Sequence, residues 1–463
     1  MTRWVTVIMA AGKSTRFKSR RPKVLHLLNG RPMLDYVLDM AYAISTTPPV
    51  LIVGPETEAE IAAKVGTRAR CVVQQERLGT GHAVLQAEPL LRGEAEQVLV
   101  LSGDMPLLRV ETLHALIDYH EAQGAALTVL TVTRADPRSF GRIVRGPDGR
   151  VLGIVEDHEA TPEQRAITEL NTGIYAFSAD FLWEGLHQLT PSASKGEYYL
   201  TDLVALAVRQ DRPVAGLEVA DESEGLGINT RADLALAASI LRQRINTAWM
   251  LAGVTIEDPA TTYIGPDVTI EPDTVILPNT HILGRTRIGS ECEIGPNSYI
   301  VDCEIGNRCR VTASVLEEAV MEDESNIGPF GHLRKGSRLC VGAHMGNFGE
   351  MKNSTLGPGA KMGHFSYLGD AEIGPNVNIG AGTITCNYDG VRKHRTVVEE
   401  GAFIGSDTML VAPVHIGAGA KTGAGSVVTH DIPAGAVAYG VPARVKSQAA
   451  PETEQAGKEE KES

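Results

Sequence analysis

Residues 264–300 read IGPDVTIEPDTVILPNTHILGRTRIGSECEIGPNSYI, and Ile264, Ile270, Ile276, Ile282, Ile288, Ile294 and Ile300 recur every six residues. A hexapeptide period of this kind, with a small residue two positions before each aliphatic one, is the mark of a parallel β-helix. Each unit forms one short flat strand and a turn, three units complete a coil, and one aliphatic side chain per unit enters a shared core. Gly, Pro, Asp and Asn follow the aliphatic residue where the chain bends, as in Gly265-Pro266-Asp267, Gly295-Pro296-Asn297 and Gly374-Pro375-Asn376. Seven isoleucines in register are not a chance spacing.

Outward from this stretch the phase slips by one to Ile305 and Val311. It resumes at Val315, Met321, Ile327, Leu333 and Leu339, then at Leu356, Met362 and Leu368, then at Ile373 and Ile379. Ile404, Leu410, Ile416, Thr422 and Val428 form the last run. The breaks predict insertions at 340–355 and 385–403, which in solenoids map to loops, often on the binding face. Cys292 and Cys309 fall at the small-residue phase and are expected to fill the core.

The front half has a different rhythm. Val5-Thr6-Val7-Ile8-Met9, Val50-Leu51-Ile52-Val53, Val98-Leu99-Val100-Leu101 and Leu127-Thr128-Val129-Leu130 have buried-strand length. Amphipathic segments from Met33 to Ile44, Thr80 to Leu91 and Val110 to Gln123 lie between them. Alternating strands and helices predict a mostly parallel sheet covered on both faces, with ligands at the carboxyl ends of its strands. From Asp233 to Met250, Leu234, Ile240, Leu241, Ile245 and Trp249 have helical spacing, and Thr230 with Asp233 marks the helix start. The expected organisation is an α/β domain over 1–229, a linker helix over 230–252, the β-helix over 253–446 and a disordered polar tail over 447–463.

Composition sets outer bounds. The 463 residues exceed one core, and 43% hydrophobic with 22% charged residues is ordinary for a globular protein. A formal net charge of −14 argues against nucleic acid as a partner. No apolar stretch approaches membrane-span length, and Met1 to Ala10 reads as a buried first strand, not a secretion leader. Six cysteines without a CxxC pair fit structural thiols in a reducing cytoplasm.

The loop Ala10-Ala11-Gly12-Lys13-Ser14-Thr15-Arg16 follows the first strand, and Arg21-Pro22-Lys23 comes soon after. Small residues between strand and helix let backbone N–H groups approach phosphates, and Arg16 and Lys23 can meet their charge. Gly12-Lys13-Ser14 imitates the end of a Walker A motif, but Val7 stands where its first Gly is required. Asp104 ends an apolar strand, where a carboxylate is poised for Mg²⁺, and Asn229 offers a second oxygen. In the back half, His344 to Lys352, His364 to Asp370 and Asn376 to Gly390 carry polar and aromatic residues that a coil does not need for its core. An amine attacking a thioester must lose a proton, and His364 is the candidate base.

Together with Pro22-Lys23-Val24-Leu25, Gln74-Gln75, Leu78-Gly79-Thr80-Gly81-His82, Ser102-Gly103-Asp104, Phe140-Gly141-Arg142-Ile143, Val155-Glu156, Leu170-Asn171-Thr172-Gly173 and Gly196 to Asp202, these motifs resemble a known family. It is the family of bifunctional N-acetylglucosamine-1-phosphate uridylyltransferase/glucosamine-1-phosphate acetyltransferases, and the resemblance covers nearly all the chain except its tail. It implies an α/β Rossmann-like nucleotidyltransferase domain followed by a left-handed parallel β-helix, in a homotrimer. It implies four substrates: acetyl-CoA, glucosamine-1-phosphate, UTP and N-acetylglucosamine-1-phosphate. Ala11, Gly12, Gln74, Gly79 and Thr80 would bind the uridine nucleotide, Arg16 and Lys23 its phosphates, and Asp104 and Asn229 the Mg²⁺. Gly141, Glu156, Asn171 and Thr201 would bind the acetylated sugar.

For acetyl transfer the resemblance makes His364 the base, with Glu350 orienting it. Arg334, Lys352, Tyr367 and Lys393 would hold the sugar phosphate, and Asn378 and Asn387 the sugar. Acetyl-CoA would run by Ala381, Asn387, Tyr388, Ser406 and Ala424, with backbone near Tyr388 facing the tetrahedral oxyanion. Two positions depart from the family. Ser14 replaces a customary Gly, and Gly440 replaces an Arg before Val441-Pro442, so Arg444 or Lys446 is expected to meet the CoA phosphates. A rival reading keeps only uridylyl transfer, with a structural or regulatory β-helix, and another makes the chain a sugar-nucleotide sensor. The cluster around His364 argues against the first, and intact Arg16, Lys23, Asp104 and Asn229 against the second.

Overall fold

A computed structural model describes residues 3–45, 47–137 and 140–448. It has two compact units, Met1–Leu241 and Arg242–Ser463. The division falls within one helix, Arg231–Leu251. Leu234, Ala238, Ile240 and Leu241 belong to a cluster with Phe17, Leu28 and Met33, whereas Ile245 and Trp249 pack on the β-helix core. The predicted linker is therefore core material for each unit. Its start carries the expected reciprocal cap: Thr230 N donates to Asp233 Oδ2 at 2.8 Å, and Asp233 N to Thr230 Oγ1 at 3.1 Å.

The first unit holds a sheet of strands in the order Val214–Glu218, Leu127–Thr133, Glu169–Ser178, Gln97–Ser102, Trp4–Ala10, Val50–Val53 and Arg70–Val73. Its pairings are parallel except that Glu169–Ser178 runs against both neighbours, and a hairpin of Arg142–Arg145 with Val151–Val155 branches from it. Alternation along Trp4–Ala10 sends Val5 and Val7 to one face and Ile8 to the other. Helices Met33–Ile44 and Val110–Gln123 cover the Ile8 face, while Thr80–Leu85, Ala179–Leu186 and Asp202–Arg209 cover the opposite one. The single helix expected from Thr80 to Leu91 is two, Thr80–Leu85 and Glu88–Leu91, because Pro89 starts a new turn.

The second unit is a three-sided left-handed parallel β-helix whose faces are sheets of 12, 10 and 9 strands. Inward residues stack in columns, such as Ile276, Ile294, Val311, Ile327 and Met345 on one face, each at most 2% exposed. The coils depart from the predicted period at three places. Leu316 is fully buried and Val315 is exposed, so the inward phase at that coil is one residue later. There is no insertion at 340–355, because Met345 and Met351 occupy the inward positions between Leu339 and Leu356. The second insertion is real but shorter: Thr385 and Val398 face inward, and strands Ile384–Cys386 and Thr396–Val398 bracket the loop 387–395. Cys292, Cys309 and also Cys303 are buried core residues. Strand Arg444–Gln448 extends two residues into the predicted tail, whose remainder, 449–463, lies outside the described residues.

Candidate active sites

Register neighbours Ile8–Leu101 and Met9–Ser102 bring the loops after two parallel strands out side by side. There a cavity of ≈ 620 Å³ opens, lined by Ala11, Gly12, Lys23, Gln74, Gly79, Thr80 and Asp104 among others. Buried Gln74 donates from Nε2 to the Gly79 carbonyl at 3.1 Å. Gly79 is irreplaceable on two counts: its φ is +105°, and a Cβ would lie 2.5 Å from the Tyr198 carbonyl oxygen. Thr80 Oγ1 accepts from Leu200 N at 3.0 Å. Ser14 has φ 54° and ψ 32°, with its hydroxyl donating to the Gly12 carbonyl at 3.2 Å. A glycine would take that left-handed backbone without strain.

The four predicted polar groups of the charged centre meet. Lys23 Nζ donates to Asp104 Oδ2 at 2.5 Å and to Asn229 Oδ1 at 3.3 Å. Asn229 Oδ1 also accepts from Arg16 Nη2 at 3.0 Å. Asp104 is held by Ser102 Oγ at 2.6 Å, while its backbone carbonyl accepts from Ile228 N at 3.0 Å. Asn229 N donates to the capping carboxylate of Asp233 at 3.1 Å, so the helix cap also places the site residue. One carboxylate and one carboxamide oxygen thus converge on a single cationic group, and this hard-oxygen pair fits Mg²⁺.

Gly141, Glu156, Asn171 and Thr201 do not line that cavity. They make a second group. Asn171 N donates to the Gly141 carbonyl at 2.9 Å, and Asn171 sits where the register shifts against Leu127–Thr133. Thr201 Oγ1 donates to Glu156 Oε1 at 3.1 Å. Burial raises the Glu156 carboxyl above its ordinary range, against the opposing effect of that hydrogen bond. Burial first, and then the Glu156 charge, raise the phenol of Tyr175 above its ordinary range.

On the β-helix, Met362 pairs with Ile379 and Ile379 with Ile404, and Phe403 with Lys421. Carried along the same corner, this register stacks His364, Ala381, Ser406 and Ala424 in one column, and Thr422 against Ala438 extends it to Gly440. Beneath that column Gly346, Gly363, Gly380, Gly405 and Gly423 follow one another, and a Cβ on Gly380 would lie 2.5 Å from Ser406 N. Among the described residues the His364 imidazole has no hydrogen-bond partner.

The neighbouring face carries the predicted sugar-phosphate residues. Arg334 N bonds the Met351 carbonyl at 2.9 Å, which sets Arg334 beside Lys352 on consecutive coils, and Tyr367 pairs with Glu350. Glu350 does not reach His364; its Oε1 accepts from Arg334 Nη1 at 2.9 Å. Tyr367 curls over Gly369 beside Asn387, and Asn387 Nδ2 donates to Asp370 Oδ2 at 2.6 Å. Asn378 stands on the other face, in register with Lys361. Tyr388 and Lys393 bridge across the loop 387–395. Asp389 pins that loop by accepting from Val391 N, Arg392 N and His394 Nε2 at 2.7, 2.6 and 2.7 Å. The backbone donation from Arg392 foremost, then His394, holds the Asp389 carboxyl far below its ordinary range. Lys446 lies 5.5 Å over the Tyr439 ring, next to Gly440 in sequence.

Sequence reasoning missed Glu56, Arg77 and Asp370. Asp370 closes the motif that begins at His364 but was given no role, Arg77 was flanked by recognised motif residues, and Glu56 carried no signal.

The nucleotidyl transferase family matches residues 5–250, and the bacterial transferase hexapeptide (six repeats) family matches 267–302 and 395–430. The chain is 48% identical over 435 residues to the "Bifunctional protein GlmU" of Pelobacter propionicus, covering 93% of this chain and 94% of that protein. It is 46% identical over 438 residues to the protein of the same name from Heliobacterium modesticaldum, covering 95% of each. An Exiguobacterium protein of that name is 47% identical over 432 residues, covering 93% of this chain and 96% of its own length.

Proposed function

Since this chain belongs to the bifunctional GlmU family, we propose how its residues divide the two reactions between its two units. The enzyme moves an acetyl group from acetyl-CoA to glucosamine-1-phosphate, then a uridylyl group from UTP to N-acetylglucosamine-1-phosphate. Pyrophosphate leaves, UDP-N-acetylglucosamine forms, and the second reaction uses Mg²⁺.

For uridylyl transfer, the cavity between the strand ends takes the nucleotide, with Ala11, Gly12, Gln74, Gly79 and Thr80 around its base. Gly141, Glu156, Asn171 and Thr201 hold the acetylated sugar so that its phosphate oxygen lies in line with the α-phosphorus. Attack forms one P–O bond as the bond to pyrophosphate breaks, so no covalent enzyme intermediate is needed. Arg16 and Lys23 offset the phosphate charge, and Asp104 and Asn229 hold the metal. When bound, Mg²⁺ supplies Lewis-acid charge neutralisation at the phosphate oxygens. Positioning and charge neutralisation carry most of the acceleration.

For acetyl transfer, His364 takes the proton of the amine as its nitrogen attacks the thioester carbonyl. The tetrahedral oxyanion faces backbone near Tyr388 and collapses with the C–S bond breaking, and the leaving thiolate takes the proton that His364 accepted. Arg334, Lys352, Tyr367 and Lys393 hold the sugar phosphate, with Asn378 and Asn387 at the sugar. Acetyl-CoA follows the corner past Ala381, Asn387, Tyr388, Ser406 and Ala424, and Arg444 or Lys446 meets its phosphates. The observation that carries this half is the register that aligns His364 with Ala381, Ser406 and Ala424. A purely structural β-helix would not need this column beside Arg334, Lys352 and Tyr367.

Assembly as a homotrimer is supported by the aromatic residues left outside the coils: Tyr263, Tyr299, Phe330, Phe348 and Phe365 are each exposed. Residence in the cytoplasm is supported by six free cysteines. No helix among the described residues is long and apolar enough to cross a membrane.

Assaying Asp104→Ala and His364→Ala for both half-reactions tests the assignment. The first variant should lose UDP-sugar formation and keep acetylation, and the second the reverse. Folded variants that each lose both activities would overturn the division.

A further inference from the structure

We propose, resting on the acetyl-transfer reading above, that Asp370 is a positioning residue for that reaction. Its carboxylate turns the Asn387 carboxamide so that oxygen, and not NH2, is presented to the attacking amine. Asp370 Oδ2 accepts from Asn387 Nδ2 at 2.6 Å, and Oδ1 accepts from Asn353 Nδ2 at 2.7 Å. The Asp370 carbonyl accepts from Thr396 N at 3.2 Å, and Asp370 N donates to the Lys352 carbonyl at 3.1 Å. One aspartate thus ties Lys352 to the first residue of the loop 387–395 and to the first residue after it.

A carboxylate has no hydrogen to give, so a carboxamide bonded to it must face it with nitrogen. That nitrogen is shut in from a second side, because a Cβ on Gly369 would lie 2.7 Å from Asn387 Nδ2. The backbone is pinned as well: Asn387 N donates to the Thr385 carbonyl at 2.9 Å, and the Asn387 carbonyl accepts from His394 N at 2.7 Å. Asn387 is only 7% exposed, yet its Oδ1 accepts from no group among the described residues. What the fold leaves open at this side chain is therefore an acceptor.

The polarity of that group matters to a nucleophile. A neutral amine has two N–H donors and one lone pair, and the lone pair must reach the thioester carbon. An oxygen at Asn387 takes one N–H and leaves the lone pair free, while His364 removes the other proton as the C–N bond forms. An NH2 in the same place would bind the lone pair itself.

The test uses the full-length enzyme and reads kcat and KM for glucosamine-1-phosphate and acetyl-CoA. Asp370→Ala frees the carboxamide to turn, and should lower kcat about tenfold while each KM stays within about threefold, which also shows that the site is folded. Asp370→Asn still offers Asn387 an oxygen, because the exposed Asn353 can turn to receive the new NH2, and should keep kcat within about threefold. With Asn387→Ala already in place, Asp370→Ala should cost less than about twofold more. The exchange Asp370→Asn/Asn387→Asp keeps an oxygen facing out, and should recover most of the kcat that Asn387→Asp alone loses. If Asp370→Ala does not fold, that exchange decides alone, and no recovery overturns the role. An unchanged kcat in Asp370→Ala, a rise in KM alone, an equal loss in Asp370→Asn, or a full further loss without Asn387 would each overturn it too. An unmodified enzyme that acetylates no glucosamine-1-phosphate would instead sink the acetyl-transfer reading itself.

Discussion

At Ser14 a side chain sits in a left-handed conformation that costs a non-glycine residue ~1–2 kcal/mol. Replacing it with Gly relieves that strain but adds unfolded-state entropy of roughly 0.5–1 kcal/mol. Ser14→Gly should therefore stabilise the nucleotide-binding unit by no more than about 1.5 kcal/mol, visible as a higher denaturation midpoint; a lower midpoint would count against the strain. His120 carries a larger, pH-dependent contribution. It is 1% exposed, lies 2.8 Å from Thr128 Oγ1 through Nδ1, and burial lowers it from 6.5 to about 4. The unfolded chain binds this proton first, so the neutral imidazole's stability is present above pH 6.5 and falls as pH drops toward 4. The loss is on the order of 3 kcal/mol. Urea titrations at stepped pH should show a shallower decline for His120→Asn than for the parent. Arg16, Lys23, Asp104 and Asn229 were legible because each sits in a local motif at a strand or helix end. Arg77 lies between two such motifs, but its own hydrogen bond reaches a backbone carbonyl 66 residues away, which no local motif encodes.

Strands two to five residues long make up the β-helix, so no single one is stable alone and stacking decides. The corner glycines are the place where stacking and chemistry coincide. Gly380→Ala would press a Cβ onto Ser406 N and spread two coils, and acetyl transfer should drop at least tenfold while uridylyl transfer stays within twofold. Equal loss of both, or none, would count against a local effect. The repeat was readable where isoleucines kept time. It was misread at 340–355 because Met345 and Met351 fill inward positions with a less regular side chain, amid outward His, Asn, Phe and Glu. The slip at Val315 was invisible for a related reason: Val315 and Leu316 are adjacent aliphatics, and only the neighbouring coils choose which one points in. The loop 387–395 was recognised as a break, yet its length depends on Asp389 gathering three N–H donors, which spacing does not encode.

Each hydrophobic cluster lies wholly within one unit of the chain. Calorimetry should therefore resolve two transitions. Ile294→Ala, in the β-helix core, should destabilise only one of them, by about 2–5 kcal/mol, and leave UTP turnover at permissive temperature unchanged. A single transition shifted as a whole would show that the units unfold together. The broad plan was legible because the period of the sequence changes once, from strand–helix alternation to six. The helix shared by both cores hid the boundary. A prism built by stacking has one further property. Positions down its corner, from His364 to Gly440, are separated by whole coils of about 4.8 Å each, and the peptide chain itself forms that edge. Distance there is counted, not tuned: point substitution can roughen the rail but cannot lengthen it. Only gaining or losing an entire coil resets the reach, so a chain carrying one duplicated coil between Ala381 and Ser406 should remain folded while its acyl donor arrives one step out of place.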